Sequence, residues 1–208
     1  MPGTSFGNPV RADACYGVAM KQLMTPVALA CILSVSLAAQ EPTALPPAQQ
    51  ALMAAALLGQ LDEVKRLVSA GTSVDFVDSE MRTSLMWAAF NGHSAVIEYL
   101  LGEGLQVDAK DSNGRTALMY AASGPFAEAV DLLLKKGAAV NVQGTLEGFT
   151  ALMTAASEGQ LEVVRLLLEH GSDSALKDQD GDTAASFARQ KGHAEVVELL
   201  ESQPAPSQ

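Results

Sequence analysis

One seven-residue phrase recurs along this chain and limits its fold more strictly than any other feature. The phrase reads Thr-Ala/Ser-Leu-Met-x-Ala-Ala, and copies begin at Thr83, Thr116 and Thr150, at intervals of 33 and 34 residues. A degenerate copy begins at Thr183, and a further copy has Gln50 in the threonine position. Self-similarity at this period predicts a stack of small units, because a unit of this size buries its apolar face only against its neighbours.

Each unit contains signals for two short helices. The threonine precedes an apolar run and is a typical N-cap, since its hydroxyl accepts a hydrogen bond from a free amide of the first turn. A second apolar run with helical spacing follows. Glycines separate the helices at Gly59, Gly92, Gly159 and Gly192, and end the second helix at Gly71, Gly104, Gly137 and Gly171. In the third unit Pro125 replaces the first glycine, and we expect Gly124 to supply the positive φ that proline cannot adopt.

In this order, the Thr-x-Leu phrase, the paired alanines, the glycines and a following Val-Asp or Val-Asn resemble the ankyrin repeat family. The resemblance implies an all-α solenoid of about five helix-turn-helix repeats with hairpin-like β-turn loops, over residues 48–201. The expected repeats are 48–77, 78–110, 111–143, 144–177 and 178–201. The resemblance further implies a right-handed stack, in which the first helix of each repeat and the loop tips form a concave groove. The end repeats depart from the phrase, as capping repeats do.

The chain departs from the family pattern inside the phrase itself. Where the family has histidine, this sequence has Met53, Met86, Met119 and Met153. A row of thioethers is compatible with a soft-metal site or a sink for oxidants. We favour packing in the core, because methionine fills irregular gaps between helices.

The first 39 residues differ in composition from the rest of the chain. Lys21, an apolar run over 23–37 and small residues at 36–39 occur in the order that is typical of a secretory signal peptide. We therefore interpret 1–39 as a leader and 20–39 as a Sec signal peptide, with Met20 as the true start. The chain is thus expected to be exported, and its resemblance to exported bacterial ankyrin proteins points to the periplasm.

A membrane anchor over residues 23–39 is the alternative to cleavage. The short apolar run and Pro26 disfavour it, because spanning a bilayer takes about 20 apolar residues. After the leader we expect a proline-rich linker over 40–47, and at the other end a flexible tail over 202–208. Both cysteines, Cys15 and Cys31, lie in the leader. The exported part is therefore predicted to have no disulfide and no thiolate.

Charge narrows the class of partner. Residues 40–208 contain 11 basic and 23 acidic residues. This balance argues against nucleic acid, whose phosphates require a basic surface, and against an anionic membrane surface once the leader is removed. The acidic charge keeps a protein soluble, or it attracts a basic protein partner. We expect a monomer.

The sequence contains no recognisable motif for catalysis or metal binding. His93 and His193 occupy the same position of two repeats, which indicates a structural role. Residues 178–182 superficially resemble a calcium loop but lack its downstream glutamate, so turn chemistry is the better interpretation. We predict no enzyme activity, no cofactor and no metal.

The predicted function is non-catalytic recognition of a protein partner by the concave face of repeats two to four. The family resemblance places the binding residues on loop tips and first helices. The candidates are Met81, Arg82, Trp87, Phe90, Asn91, Arg115, Tyr120, Leu146, Glu147, Phe149 and Glu158. Phe90 and Phe149 are the favoured anchors, whereas Trp87 and Tyr120 have packing between repeats as their alternative. Two other functions remain open: an inhibitor or immunity-type protein that blocks an exported enzyme, and an accessory protein in periplasmic peroxide defence.

Overall fold

The computed structural model describes residues 46–202, and within them ten helices form five successive pairs. The pairs are α1 (Pro47–Leu57) with α2 (Leu61–Ser69), α3 (Ser84–Phe90) with α4 (Ser94–Gly102), α5 (Ala117–Ala122) with α6 (Ala127–Lys135), α7 (Ala151–Ser157) with α8 (Leu161–Glu169), and α9 (Ala184–Lys191) with α10 (Ala194–Glu201). An all-α repeat solenoid is therefore confirmed. The predicted leader and nearly all of the predicted linker and tail lie outside the described residues.

The first helix begins earlier than predicted. Pro47, assigned above to the linker, is the first residue of α1, and Pro46 is its N-cap. Proline is well tolerated at this position, because its missing amide would have no partner in the first turn and its fixed φ suits a helix. The prediction that Pro47 lies outside the repeats is therefore wrong.

A threonine precedes the first helix of each repeat after the first one. Thr83 Oγ1 accepts a hydrogen bond from the amide of Met86 at 3.3 Å. The threonines that begin α7 and α9 are bonded in the same way, at 3.2 and 3.3 Å. Thr116 has the same extended backbone but makes no capping bond with its side chain. The predicted cap is thus confirmed at three of the four threonines.

Two layers of helices form the stack. Successive first helices pack against one another, and successive second helices form the other layer. Paired alanines such as Ala88 and Ala89 are fully buried in the first layer, because their small side chains let neighbouring helices approach closely. The row of methionines is also buried, which confirms that it belongs to the core. Each such side chain contributes about 1.5–3 kcal/mol through burial.

The histidines join consecutive repeats. His93 Nε2 donates to the carbonyl oxygen of Leu57 at 2.9 Å, and His193 Nε2 donates to that of Ser157 at 3.0 Å. Each ring also covers the turn glycine of the preceding repeat. A Cβ atom at Gly59 would lie 2.5 Å from His93 Nδ1. The structural role predicted for His93 and His193 is confirmed.

The third turn differs from the prediction. Gly124 does not have a positive φ. The turn closes instead through hydrogen bonds from the Ser123 and Gly124 amides to carbonyls of α5, both at 3.3 Å. Gly124 is required for space, because a Cβ atom there would lie 2.3 Å from the ring of Phe126. Phe126 occupies the position that His93 holds in the preceding repeat, and its ring also covers Gly92.

Candidate functional site

Four loops join the repeats and lie side by side along the stack. They comprise residues 78–82, 111–115, 144–149 and 178–182, and we refer to them together as the loop-tip surface. Each loop is bonded to the next through the backbone. Amide-to-carbonyl hydrogen bonds join Ser112 to Glu80 at 2.9 Å, Thr145 to Asn113 at 2.8 Å, and Gln179 to Glu147 at 3.1 Å. The tips therefore form one continuous hydrogen-bonded row.

Three of these loops are closed by an aspartate at the same position. Asp78, Asp111 and Asp178 each accept hydrogen bonds at Oδ1 from the amides two and four residues ahead, at 2.8–3.0 Å. Turn chemistry at residues 178–182 is thereby confirmed. Among residues 46–202 no three histidine, cysteine or acidic side chains are arranged to hold a metal ion.

Arginines in the first two loops are held between a carboxylate and an aromatic ring. Arg82 Nε lies 2.7 Å from Asp78 Oδ2, and its guanidinium lies 4.5 Å from the centre of the Trp87 ring. Arg115 lies 2.8 Å from the buried Asp111 and 4.8 Å from the centre of the Tyr120 ring. Both predicted binding arginines thus have structural partners, and both remain half-buried.

Tyr120 is a structural residue. Its side chain is only 5% exposed, and its hydroxyl donates to Asp111 Oδ2 at 2.8 Å. Burial raises the pKa of the Tyr120 phenol far above its ordinary value, so the hydroxyl remains a donor at neutral pH. Its prediction as an exposed binding residue is wrong, because the second loop uses the ring and hydroxyl to complete its own packing.

The two favoured aromatic anchors also face neighbouring repeats. Phe90 is 5% exposed and packs edge-on to Tyr120, with ring centres 6.3 Å apart. Its predicted exposure is wrong, because the next repeat supplies a ring that covers it. Phe149 packs edge-on to Phe187 at 5.0 Å but remains half-buried. It occupies the position that Arg82 and Arg115 hold in the earlier loops.

The other predicted residues divide by exposure. Asn91 is half-buried and donates from Nδ2 to the carbonyl oxygen of Leu57 at 2.7 Å, the same carbonyl that His93 binds. Trp87 and Glu158 are also half-buried. Only Met81, Leu146 and Glu147 are exposed, all of them on the loop-tip surface.

Within residues 46–202, two of the four exposed large apolar side chains lie on this surface. The large hydrophobic residues that are exposed within 46–202 are Leu58, Val77, Met81 and Leu146. Met81 is 53% and Leu146 is 61% exposed. Val77 adjoins the first loop and was missed by the sequence reasoning. The sequence could have indicated it, because Val77 is apolar whereas the corresponding residues of later repeats are polar, as Lys110 and Lys177 are.

Met81 has an unusual backbone conformation. Its φ is 60°, and it is the one non-glycine residue with a positive φ among those described. The corresponding residues of the other loops are Gly114, Gly148 and Gly181, all with positive φ. A side chain with a Cβ atom is disfavoured in this conformation. The first loop therefore holds an exposed methionine where the other three have no side chain.

Five helix pairs joined by a continuous row of loops define a helical repeat solenoid, a class of protein that presents an extended surface built from neighbouring repeats. The chain belongs to the ankyrin repeat family: the family's sequence profile, described as ankyrin repeats in three copies, matches residues 29–111, 52–144, 103–178 and 126–205. This family is a protein-interaction fold and is generally non-catalytic. No curated protein sequence matches the chain. None of the helices within residues 46–202 has the length and hydropathy needed to cross a bilayer.

Proposed function

We propose that the chain is a non-catalytic binding protein that holds a protein partner on its loop-tip surface and the adjoining first helices. The exposure of Met81 and Leu146 on hydrogen-bonded loops carries the proposal. Exposed apolar groups on a rigid frame are characteristic of protein contacts, because they lose water on binding while the frame loses little conformational freedom.

The predicted binding residues contribute in different ways to this proposal. Met81, Leu146 and Glu147 make direct contact with the partner. The half-buried residues form the margin of the contact, as the edge of an interface excludes water from its centre. These are Arg82, Trp87, Asn91, Arg115, Phe149 and Glu158. Phe90 and Tyr120 pack between the repeats beneath the loops and do not contact the partner.

A basic partner fits the charge of this surface. The four loops contain seven acidic residues and two basic ones. Both basic residues, Arg82 and Arg115, are paired with aspartates of their own loops. The same observation favours a second candidate function, an inhibitor that blocks a basic exported enzyme. That function predicts one-to-one binding that weakens as salt is added.

Export is a separate part of the proposal and rests on the sequence of residues 20–39. A reporter fused after residues 20–45 is expected to be exported and cleaved near Ala38. An uncut fusion that stays in the membrane would favour the anchored alternative over 23–39.

Photocrosslinking in the source cells tests the binding surface. A photoreactive amino acid at Leu146 is expected to give one discrete protein adduct. The same amino acid at Leu58, which is 45% exposed but lies between α1 and α2, is the matched control. Adducts that are absent at position 146, or equal at both positions, would contradict the proposed surface.

A further inference from the structure

The strained backbone of Met81 marks one end of a contact surface. The three other loops have glycine at this position, where the left-handed conformation is unstrained. The methionine side chain strains the first loop and gains little from packing in return, since it is 53% exposed. Strain of this kind persists where a side chain serves another purpose.

Leu146 marks the other end of the same surface. It lies in the third loop, so the loop 111–115 separates it from Met81. Helices that pack side by side are about 8–10 Å apart, which places residues two repeats apart at about 20 Å. The intervening loop exposes no large apolar side chain. The surface therefore presents two apolar anchors with a polar gap between them.

The flanks of this surface are acidic, whereas the gap is polar, because Asp111 is buried there and paired with Arg115. Of the flanking carboxylates, Glu80 also pairs with Arg82. Glu80 precedes Met81, and Glu147 follows Leu146 and is itself exposed. Asp180 and Asp182 extend the negative charge into the fourth loop. A partner that covers both anchors therefore brings its own backbone or side chains close to carboxylates. Basic residues are favoured there, and acidic residues are repelled.

From this arrangement, and resting on the function proposed above, we infer that the loop-tip surface binds an extended, basic segment of a partner protein through two apolar residues six positions apart. An extended chain advances about 3.3 Å per residue, so residues i and i+6 are about 20 Å apart. They also point to the same side of the chain, because side chains alternate. Lysine or arginine beside either apolar residue then lies near the acidic flanks, at Glu80 or Glu147.

A displayed random-peptide library tests this inference against residues 40–208. Peptides about 16 residues long suffice to cover the anchors either as a strand or as a helix. The enriched sequences are expected to carry apolar residues at i and i+6, with lysine or arginine beside them. Enrichment of acidic sequences, or of none, would overturn the inference. Apolar residues about 13 positions apart would instead indicate a helix, which also overturns the extended form.

Variants of the protein connect an enriched peptide to the two anchors. The synthesised peptide is expected to bind Leu146→Gln and Met81→Gly roughly tenfold more weakly than the unsubstituted protein, because each removes one anchor. Met81→Gln keeps a side chain in the strained conformation and is expected to weaken binding in the same way. Leu58→Gln is the matched control and leaves affinity unchanged. If the variants at Met81 and Leu146 bind the peptide with unchanged affinity, the inference is wrong.

The two proposals can fail separately. If crosslinking at Leu146 yields a discrete adduct while the library yields no basic apolar sequence, the loop-tip surface binds protein but not an extended basic segment. If both experiments fail, the surface is not a binding site at all.

Discussion

The second and third loops of this protein occupy the same position in neighbouring repeats and are built in opposite ways. Loop 111–115 turns inward: the buried Asp111 binds two amides of its own loop, Arg115 and the hydroxyl of Tyr120. Loop 144–149 has one residue more, has neither the aspartate nor the arginine, and exposes Leu146. The side chains of loop 111–115 stabilise the stack, whereas loop 144–149, besides packing Phe149 against Phe187, presents Leu146 to solvent.

The first loop combines both patterns. It has the inward pair of Asp78 and Arg82, and it also exposes Met81 at its tip. The repeat therefore separates its two tasks by position: residues that face the next repeat stabilise the fold, and residues at the tip vary from loop to loop. Substitutions on the two sides of this division are expected to have different effects.

The largest expected effect is that of Asp111→Ala in the inward-facing loop. The substitution leaves two amides, a guanidinium and a buried phenol without their shared acceptor, so the free energy of unfolding should fall by about 2–4 kcal/mol. Urea unfolding followed by circular dichroism measures it. Asp178→Ala is the matched control. That aspartate accepts from the corresponding two amides of its own loop, but the loop has Asp182 at the position where Arg115 stands in the second loop. Equal losses in the two variants would contradict the inward role of Arg115 and Tyr120.

Tyr120→Phe is expected to have a smaller effect that depends on pH. At neutral pH it removes one buried hydrogen bond and should lower the free energy of unfolding by about 1 kcal/mol. Burial raises the pKa of Tyr120 in the folded state, so the folded protein holds this proton more tightly than the unfolded chain does. That stabilisation is complete below the unfolded pKa of about 10 and is lost as the pH rises above it.

The difference between the native protein and Tyr120→Phe should therefore shrink, and then reverse, as the pH is raised beyond about 10. Urea midpoints of both proteins over this range measure it. Tyr99 also has a raised pKa, but it is present in both proteins and its effect cancels. A difference that stays constant with pH would mean that Tyr120 is not held in its buried, protonated form.

The inward-facing side of the repeats was largely predictable from the sequence, because every repeat supplies a copy of the same signal. The threonine caps, the turn glycines and the buried methionines each recur at one position, and the structure confirms them except at Thr116 and at Gly124 of the third turn. Phe90 and Tyr120 were not predictable in this way. Each occurs in a single copy, and its burial depends on the ring or carboxylate that its own neighbourhood supplies.

The residues at the loop tips were harder to predict, because the information lies in how the repeats differ from one another. Met81 is aligned with Gly114, Gly148 and Gly181, so an αL conformation could have been expected from the alignment of the repeats alone. The conformation of the turn at Pro125 could not be predicted in this way. Nothing in a glycine-proline pair predicts that Phe126 fills the space above both Gly92 and Gly124.

Met81→Gly converts the tip of the first loop to the pattern of the second. Glycine relieves the left-handed strain, so the free energy of unfolding should rise by about 1 kcal/mol even though a side chain is lost. Thermal unfolding, followed through the fluorescence of Trp87, the single tryptophan of the chain, measures it. Gly114→Ala in the second loop is the reciprocal variant and should be destabilising, since a Cβ atom there would lie 2.5 Å from the amide nitrogen of Thr145. A loss of stability in Met81→Gly would show that the methionine packs and does not serve as an exposed anchor.

Leu146→Gln is expected to have the smallest effect on stability, and it separates the two loops most clearly. The side chain is mostly exposed, so the free energy of unfolding should change by less than about 0.5 kcal/mol. Its urea midpoint should coincide with that of the native protein, while partner binding is lost. Asp111→Ala should have the opposite effect. Its unfolding midpoint should shift to lower urea, while the contact residues at the loop tips remain unchanged. If Leu146→Gln instead destabilises the protein as much as an inward-facing substitution does, the third loop is part of the core and the division between stabilising and contacting loops fails.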